Sequence, residues 1–231
     1  MNALLLMLVL ALQTAPEVKA TTKPPEPFPP SRLGAEWIGP SPIVVVARTI
    51  SVRDAGLGAA LLHVRVLERM RGEGVSVDDS LTVFSASDRF SFGSEDLLFL
   101  RPFRESGRFE VVHRISVRES QYSAMVSITR RTIWLMEIEN PERRIDATID
   151  LLLGLLRSRD TWTRRYGLEE LRWMAEHRHA IFTQDRRERV RTAARASAHP
   201  EVKTGVVSVT RALAAKDSRL RDDEGSEQSK P

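Results

Sequence analysis

Two histidines stand close together in Glu176-His177-Arg178-His179, and imidazoles beside an acid are a common zinc donor set. Residues two apart on a helix face different ways, so a shared ion would require the helix to have ended there. A solvated helix end is the simpler reading. His63 falls on the polar side of an alternating strand pattern, and neither His113 nor His199 has a second histidine close by. The adjacent acids Asp78-Asp79 and Glu95-Asp96 would point to opposite faces of a strand, which is poor geometry for an acid and base pair. Nucleophilic chemistry finds no cysteine and no Gly-x-Ser-x-Gly elbow, and Gly56 to Gly58 lacks the lysine and helix of a phosphate loop. No catalytic residue, metal ligand or cofactor is assigned, and the reading is non-enzymatic.

A second grouping concerns recognition. Trp162, Tyr166 and Trp173 lie among Arg164, Arg165 and Arg172, and rings with guanidinium groups can form a platform for bases or a peptide. The competing role is packing on a neighbouring helix or on another domain. The densest basic stretch runs through Arg186, Arg187, Arg189, Arg191 and Arg195. Together these nominate an interaction surface of Trp162, Arg165, Tyr166, Arg172, Trp173, Arg187 and Arg191.

The elements that must position these residues begin after a leader. Ala3 to Leu12 is an unbroken apolar run, too short for a membrane span but suited to a signal peptide. Val18-Lys19-Ala20 offers a cleavage site, so residues 1–20 are read as a signal peptide for export to the periplasm or beyond, or as an uncleaved anchor. The mature chain is then expected to have no membrane span. Residues 21–41 begin TTKPPEPFPP and read as a stiff proline-rich linker.

From Pro42 the chain favours strands. Ile43 to Val52 is rich in β-branched residues, Leu62, Val64 and Val66 alternate with His63 and Arg65, and Ser80 to Ser85 follows. Leu97 to Leu100, stopped by Pro102, and Phe109 to Val112 complete about five strands. Short strands at this spacing close most economically into a small barrel or sandwich. The succession "IVVVARTISV", "LLHVRVLERMRG" and "EDLLFLRP" resembles a β-barrel module of the OB or netrin and tissue-inhibitor-like kind, found in exported bacterial proteins of unknown role. Inhibitors of that kind act through an N-terminal cysteine and disulfides; this chain has none, so inhibition is not carried over.

Ser123 to Glu139 mixes strand propensity with a helical pattern and is read as a helix. Ile145, Ile149, Leu152, Leu153 and Leu156 then recur at helical spacing, as do Leu168, Leu171 and Ala175, on either side of Ser158-Arg159-Asp160. This predicts a helical hairpin. Arg165, Gly167, Leu168 and Leu171 match Lys203, Gly205, Val206 and Val209 at a constant offset, which resembles HEAT-type repeats. The predicted helices are Pro141 to Arg157 with Thr161 to His177, and Gln184 to Ser197 with Pro200 to Ala215. Two such pairs are too few to stand alone, so they must lean on the barrel or on the preceding helix. Residues 216–231 read as a disordered tail.

The fold class is therefore α+β: a small antiparallel OB-like barrel over residues 42–120, then an α-helical HEAT-like region over 121–215. The net charge of +4 comes from 35 basic and 31 acidic residues, interleaved rather than gathered, which points only weakly to nucleic acid. The leading function is an exported protein-interaction or envelope-associated module whose partner is a protein or envelope component. The alternative is a nucleic-acid-binding protein using the barrel face and the basic helices, and a third class is a hydrolase with an unrecognised site.

Overall fold

The computed structural model describes residues 31–227, apart from residue 88 and residues 104–106. The expected signal peptide, the TTKPPEPFPP stretch and residues 228–231 lie outside the described residues. Five strands, β1 (Ile43–Gly56), β2 (Ala59–Arg71), β3 (Ser80–Ser85), β4 (Glu95–Phe103) and β5 (Arg108–Ser116), close into a barrel in the order β1-β2-β3-β5-β4. Five helices follow: α1 (Tyr122–Met136), α2 (Pro141–Leu155), α3 (Thr161–His177), α4 (Gln184–Ala196) and α5 (Pro200–Glu227).

The strand order is that of an OB-type barrel, and one contact departs from the expected all-antiparallel pairing. β3 and β5 run parallel through Val83↔Phe109 and Phe84↔Glu110. Burial explains why some strands alternate and others do not. β2 buries Ala60, Leu62, Val64 and Val66 inside the barrel and turns His63 and Arg65 outward, as one-sided packing requires. β1 over Ile43 to Ala47 and β4 over Leu97 to Leu100 are unbroken apolar runs because both of their faces are covered there. Ile43, Val45, Ala47, Leu98 and Leu100 fill the barrel, while Val44, Val46, Leu97 and Phe99 join Ile128, Ile149 and Leu171 in a second core beneath the helices.

Two expected strand ends are corrected. β4 runs through Pro102 to Phe103, with Pro102 opposite Phe109. Beyond Leu100, β4 no longer pairs with β1, and a one-sided stretch tolerates a residue without an N–H. β1 also continues past Val52 to Gly56, and the hairpin turns on Gly56, Leu57 and Gly58, all with positive φ.

The linker expected over residues 21–41 is also corrected at its end. Leu33–Ile38 is a π-helical turn closed by the Gly39 N–H donating to the Gly34 carbonyl at 2.8 Å. Leu33 and Ile38 are buried, at 2% and 0% exposure, because they fill the seam between barrel and helices.

The helical reading holds in outline. Ser123 to Glu139 lies in or just after α1, where packing of Ile128 and Ile133 into the second core overrides their strand propensity. Asn140 caps α2 by accepting from the Arg143 N–H at 3.0 Å, and Asp160 caps α3 by accepting from the Thr163 N–H at 2.7 Å. α2 packs on α3 and α4 on α5; the pairs stack with α4 over α2 and α5 over α3. A methyl group on Gly167 would sit 3.1 Å from the Leu155 Cβ, and one on Gly205 2.6 Å from the Leu168 Cδ1. Both repeat-related glycines therefore mark close helix contacts. The expected tail is corrected too: α5 runs to Glu227, and Asp217 ties it to α4.

Candidate functional site

The seven residues nominated from sequence fall in separate places. Trp162 and Tyr166, one helical turn apart on α3, stack at 5.4 Å and 21° and face the seam between barrel and helices. Trp173 stacks instead on His177 at 4.9 Å. Arg165 and Arg172 are exposed, and Arg172 pairs with Glu176 at 2.8 Å. Arg164, which seemed part of the platform, is buried and donates to Glu201 of α5 and to the carbonyls of Ser158 and Arg159. It fastens the α2–α3 turn to α5. His177 and His179 do not converge, since His179 is oriented towards Asp217 at 3.5 Å.

The seam encloses a cavity of about 270 Å³ lined in part by Trp37, His113, Tyr166 and Glu170. Glu170 is 4% exposed, and burial pushes its carboxyl up to about 7 against the hydrogen bonds that favour its charge. Burial, then the Glu170 charge, also raises the Tyr166 phenol, and burial lowers His113, which lies 3.8 Å under the Trp37 ring. Perturbed groups converging on a cavity are the usual mark of a reactive site. Here their contacts are with the protein itself. The Glu170 carboxylate accepts from the Arg32 N–H at 2.9 Å, from the Leu33 N–H and from the Tyr166 hydroxyl. It supplies acceptors that the first N–H groups of the π-helical turn lack, so α3 caps a turn 138 residues earlier in the chain.

The arginine-rich stretch is divided between structure and surface. Arg186 is 5% exposed and donates to Asp146 at 2.8 Å, to Glu142 at 2.6 Å and to the Ile181 carbonyl. These contacts hold Asp146 below the usual carboxylate range, chiefly through the Arg186 hydrogen bond. Arg189 pairs with Asp146 and Asp150, while Arg187 grips Asp217 at 2.5 and 3.0 Å. Three of the five arginines therefore join helices to one another.

Arg191 and Arg195 have a different setting. Together with Lys203 and Arg211 they rim an open groove of about 680 Å³ between α4 and α5. Its floor includes Ala194, Val206 and Val207, and no acid is among the described residues that line it. Val207 is 54% exposed. Glu188 approaches the rim, at 3.5 Å from Arg191 and 3.0 Å from Arg195. Lys203 carried a signal in the sequence through its match to Arg165, whereas Arg211 and the Glu170 cap had none. The groove thus joins a positive rim to an apolar floor. No protein-family model, curated protein or solved structure matches the chain.

Proposed function

We propose that the protein is an exported, non-enzymatic interaction module in which an OB-like barrel supports a short HEAT-like stack and the free end of that stack contacts a protein or envelope component. The observation that carries this reading is the groove between α4 and α5, with four cations, two of them paired with Glu188, around an apolar floor and no acid among the described lining residues. Each pair in such a stack buries one face against the next, and the groove lies on the face of the last pair that has no further layer among the described residues. The apolar leader supports export, and no helix among the described residues is long and apolar enough to cross a membrane.

Binding to nucleic acid is the second reading, favoured by the same four cations. It is weakened by the internal ion pairs of Arg186, Arg187 and Arg189, which leave a short basic patch.

Gel filtration of native-cell extract with immunodetection tests the interaction reading. The protein is expected well above the mass of one chain, with Val207→Asp returning it to monomer mass. Wild-type protein at monomer mass throughout would contradict it. The intact mass in each cell fraction tests export, with a start near Thr21 outside the cytoplasm expected.

A further inference from the structure

We infer that the groove between α4 and α5 receives an acidic amphipathic helix from a partner protein, laid on the stack as its next layer. This deepens the interaction reading and rests on it. The first support is the way the two existing layers meet. Leu168 of α3 is the side chain that closes on Gly205 of α5; its counterpart at the repeat offset, Val206, is buried at 3% exposure, and the next residue, Val207, stands open in the groove at 54%. The second layer thus leaves an apolar side chain uncovered on α5, where the first layer's Leu168 is packed under that helix.

Charge supplies the second support. The existing layers are joined by acids of α2, Glu142, Asp146 and Asp150, meeting Arg186 and Arg189 of α4. At the groove the cations recur with no acid among the described lining residues; Glu188 pairs with Arg191 and Arg195, and Lys203 and Arg211 complete the rim. A helix with leucine or alanine at i, i+3, i+4 and i+7 and glutamates on either side would cover the floor and neutralise the rim. A cationic helix would meet like charge along the rim.

The test uses the full chain and a fluorescein-labelled 16-residue helical peptide with leucines at that spacing flanked by glutamates. Anisotropy is read at 150 mM salt beside a scrambled peptide, a lysine-for-glutamate peptide and a 16-base-pair duplex DNA. Micromolar binding of the first peptide alone is expected. It should weaken about tenfold in Lys203→Glu/Arg211→Glu, as two reversed rim pairs imply, and also in Val207→Asp. All three positions are exposed or line the open groove, and circular dichroism checks that each variant is folded. Equal binding of the scrambled peptide, tighter binding of the DNA, or self-association abolished by Val207→Asp would each overturn the inference. A Val207-dependent complex in extract with no acidic-peptide binding would overturn this inference alone and leave the interaction reading standing.

Discussion

Glu170 concentrates the residue-scale physics, because one buried carboxyl joins the N-terminal turn to α3. Its value in the folded chain is about 7, against an ordinary value of 4.5. The folded state therefore holds this proton more tightly than the unfolded state. Its contribution is fully present below about pH 4.5 and is lost as pH rises through 7, a span of about 3 kcal/mol at most. Glu170→Gln should remove this part of the pH dependence, so that between pH 5 and pH 8 the melting temperature of the variant falls less than that of the wild type. Parallel pH profiles of the two proteins by calorimetry would contradict the assignment. Nothing in Gly167-Leu168-Glu169-Glu170 distinguishes the capping acid from its exposed neighbour, since its partners lie 138 residues away. The same holds for Arg164 and Arg186, whose burial depends on acids, Glu201 and Asp146, brought close only by helix stacking.

At the scale of elements, periodicity carried the reading wherever one face packs. β2 alternates because only one side is buried, and α3 runs from Thr161 to His177 as its cap and stripe imply. Continuous runs such as Ile43-Val44-Val45-Val46 marked strands but hid the fact that each serves two cores. The length of β4 was obscured by Pro102, whose tolerance depends on β1 ending its pairing at Leu100. Glycines give a direct test of helix contact. Gly167→Ala would press on the Leu155 Cβ and on the Leu152 carbonyl at 3.3 Å, and should cost about 1 to 2 kcal/mol. Gly154 in α2 has no atom within 4 Å of an added methyl, so Gly154→Ala should stabilise by about 0.5 to 1 kcal/mol through helix propensity. Urea denaturation reads both, and equal effects would contradict the close approach of α3 to α2.

The molecule as a whole is organised by one core shared between the outer barrel wall and all five helices. That the helix pairs must lean on the barrel or on α1 was legible from their small number. The seam was not legible, because Leu33, Trp37 and Ile38 follow a proline-rich stretch and occupy too short a segment to show a period. Their placement predicts a sharp boundary for truncation. Removal of residues 1–30 should leave the denaturation midpoint nearly unchanged, whereas removal of residues 1–41 should expose the seam and give a destabilised, aggregation-prone chain by light scattering. Similar behaviour of the two truncations would show that the turn is not a keystone. The groove at the other end of the stack carries the functional claim. Its most direct test is a photocrosslinking amino acid placed at Val207 in the full-length protein in its native cells, with Leu57 at the exposed hairpin tip as the comparison site. A discrete heteromeric adduct from Val207 and none from Leu57 is predicted; no adduct from Val207, or the same adducts from both sites, would contradict the assignment of the groove as the contact surface.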